Sequence, residues 1–162
     1  MRTGRRLAID VGKARIGVAV SDFHGILASP LGNVHRDESL DESVRAWRSF
    51  LELHDTEIGS EFLEIYVGLP ISLNGADTAS THDAIQVGLA FAECIGLEPR
   101  FIDERLTTVS AAANLRAVGK SAKSSKAQID SVAASLILEA ALNSEKNTGL
   151  TPGLTKAEVT DR

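Results

Sequence analysis

The chain has 162 residues, 43% hydrophobic and 24% charged, with a formal net charge of -5 at pH 7. That length suits one domain with a real core and is too short for two large lobes; the acidic balance excludes a surface coated in basic residues, though not a local basic patch. The only cysteine, Cys94, rules out an intrachain disulfide and a cysteine-built zinc cluster, and beside Phe91, Ala92 and Ile95 it reads as a small buried hydrophobe.

The basic start (Arg2, Arg5, Arg6) is followed by too few apolar residues before Asp10 for a signal peptide. No apolar run approaches the ~20 residues of a membrane span, so a cytoplasmic protein without a membrane partner is expected. Leu7-Ala8-Ile9 and Ile16-Gly17-Val18-Ala19-Val20 read as strands joined by the short link Gly12-Lys13-Ala14-Arg15, a hairpin over about 6–21 with Asp10 at its open end. A carboxylate this deep in a buried-looking strand is costly unless something pairs with it. A third extended piece near Gly25-Ile26-Leu27-Ala28 ends at Pro30, and Asp22 reads as a turn residue. From about Ser39, Leu40, Val44, Trp47, Phe50 or Leu51 and Leu53 recur at helical spacing. Phe62 to Val67 is a compact apolar strand, followed by the loop Gly68-Leu69-Pro70 and the turn Asn74-Gly75. The next helix covers about 77–95, with Ile85, Leu89, Ala92 and Ile95 on one stripe and Gly96 as its C-terminal cap.

Arg100-Phe101-Ile102 forms a short strand that ends on Asp103-Glu104. Thr107 or Thr108 caps a helix carrying Val109, Ala112, Ala113 and Leu115, which stops at Gly119. After the polar loop 120–124, Ser125 with Gln128 fits a capping box for a last helix over about 126–142. Beyond Asn143 the apolar periodicity is lost. The expected architecture is α/β with a mixed sheet, one domain over 1–142, and a disordered tail over 143–162.

Three carboxylates sit where charge is expensive. Glu104 follows a strand, where α/β sheets place their ligand sites; Asp103 competes with it, since adjacent strand-end residues point in opposite directions. Asp130 has Ala133, Ala134 and Ile137 at i+3, i+4 and i+7, so its helix points it inward. Carboxylates gathered in one place repel, and a site of Asp10, Glu104 and Asp130 needs a cation at neutral pH. Oxygen donors without histidine or cysteine favour Mg²⁺ or Mn²⁺; two such ions roughly 4 Å apart suit phosphodiester cleavage. None of His24, His35, His54 and His82 shows metal-ligand spacing, and no serine stands in a G-x-S-x-G setting. Two basic groups flank the acids: Arg2, Arg5, Arg6, Lys13 and Arg15 around the hairpin, and Arg116, Lys120, Lys123 and Lys126 ahead of Asp130. Acids flanked by cations point to a nucleic-acid partner.

With Ile9-Asp10-Val11-Gly12 and Arg15 to Asp22, Val67-Gly68-Leu69-Pro70, Asp103 to Thr108 and Ile129 to Ala134 in that order, the chain resembles the YqgF (RuvX-like) family of the ribonuclease H-like superfamily over about residues 6–142. The resemblance implies a five-stranded mixed sheet, three antiparallel strands then parallel ones, flanked by helices. It implies a metal-dependent nuclease whose acids are Asp10, Glu104 and Asp130, and so selects Glu104 over Asp103. Arg105 and Thr108 would support the strand-end site, and Arg15 would lie near the nucleic-acid backbone. The implied substrate is structured RNA, with maturation of the 5′ end of precursor 16S ribosomal RNA on ribosomal precursor particles; the alternative is Holliday junction resolution on branched DNA, for a monomer or weak homodimer. The chain departs from the family pattern at Ala14, at Leu73 where a methionine is common, and at Ala76-Asp77-Thr78. A non-catalytic nucleic-acid-binding domain and an ATP-dependent phosphotransferase are the competing readings; the second needs two lobes, and the chain has length for one.

Overall fold

A computed structural model describes residues 1–55, 61–107 and 126–161. Its described elements are β1 (Arg5–Val11), β2 (Arg15–Ser21), β3 (Ala28–His35), α1 (Leu40–Leu53), β4 (Phe62–Leu69), α2 (Ala79–Cys94), β5 (Pro99–Asp103), a 3-10 turn (Glu104–Thr107), α3 (Lys126–Thr148) and α4 (Lys156–Thr160). The strands form one sheet in the order β3-β2-β1-β4-β5. β1 pairs antiparallel with β2 and β2 with β3, while β4 runs parallel to both β1 and β5.

Strand alternation divides the sheet into two unlike faces. Leu7 and Ile9, Ile16 and Val18, and Ile65, Val67 and Leu69 form the larger core with Trp47 of α1 and Ile85, Val87 and Phe91 of α2. Trp47 stacks on Phe91 at 4.9 Å between ring centres, and its Nε1–H donates to the Phe91 carbonyl at 3.2 Å, which satisfies the indole's polar atom inside the core. The opposite face carries Ala8, Ala19, Tyr66 and Ile102, and packs against Ala134, Ile137, Leu138, Ala141 and Leu142 of α3. Small residues line β1 and β2 here, so a single helix lies close over them.

Local chemistry fixes the helix starts. The Ser39 hydroxyl accepts from the Glu42 amide at 3.1 Å, and Thr78 and Thr81 form a reciprocal capping box. The Thr81 hydroxyl also donates to the Pro70 carbonyl, tying α2 to the end of β4. Asp22 does cap a turn, accepting from the Ile26 and Leu27 amides at 2.7 and 2.9 Å.

The structure corrects several expectations. Pro30 lies inside β3 rather than ending it; β3 is an edge strand, and its register with β2 shifts between Val18 and Ala19, beside Pro30, so the missing N–H costs little. Gly68 and Leu69 belong to β4 and not to the following loop. Asp10 pairs with Gly17 one step from the Val11–Ile16 pair that closes on the turn, so it stands at the closed end of the hairpin, not the open one. The segment after Asn143 is packed rather than disordered: α3 continues to Thr148, Leu154 exchanges two backbone hydrogen bonds with Phe101, and Val159 of α4 is buried. The Arg100 guanidinium also donates to the carbonyls of Thr151, Pro152 and Gly153. Backbone groups and scattered apolar anchors (Pro152, Leu154 and Val159) hold this segment, a mode that leaves no hydrophobic period to read. The expected helix of Val109 to Gly119 and the Ser125 cap lie outside the described residues.

Candidate active site

The three candidate acids meet at the end of the sheet where β1, β4 and β5 finish. Ala8 faces α3, so Asp10, two residues on, faces it too. Its cross-strand partner Gly17 is what lets the start of α3 reach this point: a Cβ at Gly17 would collide with the Asp130 carbonyl. Gly68 does the same for the other side, since a Cβ there would lie 2.5 Å from Ile137 and 2.7 Å from Glu104 Oε1. Two glycines inside strands thus clear the space in which the acids converge.

Glu104 rather than Asp103 faces the site. The Arg105 guanidinium takes both Asp103 oxygens, with contacts from 2.6 to 3.1 Å, whereas the Glu104 carboxyl hydrogen-bonds to Asp10. Burial, the Asp10 charge and that hydrogen bond push Glu104 up to about 8. Asp10 is also raised, by burial and the nearby Asp130 charge, while its hydrogen bond with Glu104 opposes the rise. Both shifts run the same way, so burial and like charge favour protonation of the pair.

Asp130 is engaged differently. Arg15 Nε donates to its Oδ2 at 3.1 Å, with both side chains about one-third exposed at 33% and 30%. Accordingly, no group of three histidine, cysteine, aspartate or glutamate side chains is gathered to hold a metal ion among the described residues. The donor set nevertheless fits a hard divalent cation. The donors are all carboxylate oxygens, Asp10 and Glu104 are already in contact, and the like charge between them favours a cation there.

Around the acids, Lys13 is exposed in the turn between β1 and β2, and Arg105 is exposed but committed to Asp103. Thr108, Arg116, Lys120, Lys123 and the side chain of Lys126 lie outside the described residues. Arg2 and Arg6 leave the expected basic patch altogether, because they are drawn into ion pairs with Glu64 and Glu145 at the far end of the sheet. Sequence reading missed the brace at Arg36, which binds Asp83 at 2.6 and 2.5 Å and the Gly12 carbonyl at 2.9 Å. That brace fixes the hairpin turn against α2. It also missed Gly17 and Gly68, although a glycine inside an apolar strand is itself a signal of close approach.

A family model described as RuvX, Holliday junction resolvase, matches residues 4–144. A protein of Leifsonia xyli named "Putative pre-16S rRNA nuclease" is 48% identical over 153 residues, covering 94% of each chain. A relative of the same name in Mycolicibacterium smegmatis is 44% identical, covering 88% of this chain and 82% of that one. Among solved structures, Thermus thermophilus RuvC in complex with a Holliday junction substrate matches with a TM-score of 0.56 at 18% identity, covering 93% of this chain and 99% of that one. At that identity the likeness establishes the fold: a ribonuclease H-like sheet, antiparallel then parallel, flanked by helices.

Proposed function

The chain belongs to the RuvX family, and from that membership we propose that it is a divalent-metal-dependent endonuclease of structured RNA, maturing the 5′ end of precursor 16S ribosomal RNA in the cytoplasm. The observation that carries the reading is the Asp10–Glu104 pair, two carboxyls held in contact with Asp130 beside them at a sheet end. Carboxylates brought together against their own repulsion are useful to a site that binds cations. Asp10, Glu104 and Asp130 would hold Mg²⁺ or Mn²⁺, which supplies activation of water and charge neutralisation at the scissile phosphate.

The chain's own residues prepare that chemistry. The hydrogen bond between Glu104 and Asp10 holds the two carboxyls together, where they would serve as ligands to the cation. Arg15 neutralises Asp130 and stands where an incoming phosphate competes for the same guanidinium. Lys13 on the hairpin turn, with Arg116, Lys120 and Lys123 ahead of α3 and Lys126 at its first position, contributes sequence-independent attraction to the backbone that weakens as salt rises. Ribosomal precursor particles are the proposed setting.

Resolution of DNA four-way junctions is the second reading, favoured by the description of the family itself. It requires two active sites cutting symmetrically, hence a dimer. The two readings part in one assay: wild type, Asp10→Asn and Glu104→Gln with Mn²⁺, offered a precursor ribosomal RNA 5′ leader beside a DNA four-way junction. Cutting of the RNA alone, lost in both variants, is the expected result. Symmetric cutting of the junction alone would transfer the assignment to resolution, and binding without cutting in wild type would defeat both.

A further inference from the structure

The turn between β4 and α2 presents a leucine to water at the end of the sheet that carries the acids. Leu73 is 93% exposed, and Leu106, on the 3-10 turn that begins with Glu104, is 76% exposed. A single exposed leucine ordinarily needs no explanation. What calls for one is how firmly this leucine is held and where.

The Gly75 amide donates to the Ser72 carbonyl at 2.8 Å, and the Ser72 amide donates to the Ala76 carbonyl at 3.1 Å. The Ala76 amide donates to both the Ser72 hydroxyl and Asn74 Oδ1 at 3.1 Å, while Gly75 adopts φ +84°, a conformation that favours glycine. Below the tip, Ile71 and Asp77 form an antiparallel bridge, and Pro70 is tied to Thr81 of α2. The turn also leans on the Asp103–Arg105 pair that follows β5: a Cβ at Gly75 would lie 3.7 Å from Arg105 Nη1. Its geometry is therefore fixed before any ligand arrives, so little ordering entropy remains to oppose a contact made by Leu73.

We propose that Leu73 is a positioning and specificity residue that lays its apolar side chain against an unstacked base beside the scissile bond. The preferred ligand is then nucleic acid at a break in helical stacking, such as a duplex–single-strand step, over an unbroken duplex. This deepens the nuclease reading and rests on it for the location of the scissile bond. Apolar side chains recognise base faces without regard to sequence, whereas a continuous duplex offers no face to contact. Covering half of an exposed leucine corresponds to roughly five- to tenfold in affinity.

The test reads binding separately from cleavage. In an Asp10→Asn background with Mn²⁺, the probes are an RNA hairpin carrying 2-aminopurine at the duplex–single-strand step and a fully paired duplex with the same label. The parent is expected to raise the fluorescence of the first probe and to bind it about fivefold or more tightly than the second. Adding Leu73→Ser abolishes the rise and brings the affinity ratio near one; Leu73→Met keeps both. No rise with the parent, an unchanged ratio in Leu73→Ser, or an equal loss in Leu73→Met overturns the assignment. Failure of the nuclease reading appears elsewhere, as intact RNA with the Asp10-bearing enzyme, so the two failures are distinguishable.

Discussion

Replacing Glu104 by glutamine should make the protein more stable, and the gain should grow with pH. Glu104 is pushed from 4.5 up to about 8, chiefly by burial and then by the Asp10 charge. Between those values the folded protein holds a proton that the unfolded chain has released, so stability falls as pH rises through the window. At ~1.4 kcal/mol for each tenfold, the upper bound is ~3 kcal/mol at pH 7 and ~5 kcal/mol above pH 8. Water at the partly open rim screens the charges, so about half of this is expected. A glutamine amide can still donate to Asp10 and never ionises, which removes the cost without opening a cavity. Urea unfolding in EDTA should show Glu104→Gln ahead of wild type by ~2 kcal/mol at pH 8 and level with it near pH 4.5. Millimolar Mn²⁺ should narrow the gap by stabilising wild type alone. A glutamine variant that is less stable at pH 8, or a difference that does not change with pH, would refute the raised value at Glu104.

Gly17→Ala should be one of the most damaging small substitutions in the chain, because its Cβ meets the Asp130 carbonyl rather than a movable side chain. We expect a loss of ~3 kcal/mol in urea unfolding, with cleavage reduced by the displacement of α3 from Asp10; a neutral result would remove the close approach from the argument. Ending the chain at Thr148 should cost ~2–4 kcal/mol, since it frees the edge of β5, strips Arg100 of three carbonyl partners and uncovers the Val159 pocket. Unchanged thermal unfolding of the shortened chain would show that the segment is an ornament.

Asp10, Glu104 and Asp130 were legible because each breaks a local rule, a charge inside an apolar strand, at a strand end or on an apolar helix face, and broken rules concentrate at sites. The strands and capped helices were legible because period and cap residues agree there. What escaped was anything decided between distant segments. Ala8, Ala19 and Gly17 read as mere small residues in strands until α3 is laid across them. Arg2 and Arg6 look like surface cations until Glu145, far along the chain, is brought to them by the extra turns of α3. Arg36 and Asp83 carry no local sign of their pairing, and the segment after Gly149 binds through its carbonyls, which every sequence possesses.

The sheet buries carboxylates at both ends, and their chemistry separates structure from function. At one end Glu64 and Glu145 face Arg2 and Arg6, with contacts of 2.5, 2.6 and 3.1 Å, and the Tyr66 hydroxyl donates to Glu64. Burial alone would raise Glu145, yet the hydrogen bond and charge of Arg2, with the charge of Arg6, hold it below the ordinary value. Two anions and two cations are paired there, and the buried Arg6 Nε is left without a hydrogen-bond partner among the described residues. At the other end burial and like charge act together, so Glu104 and Asp10 rise. There Arg15 pairs with Asp130, while Arg105 and Asp103 cancel one another. The like charge that raises Asp10 and Glu104 favours a cation there. Uncompensated like charge among the described residues, more than the presence of buried acids, marks the end of the sheet where a cation and a polyanion would meet.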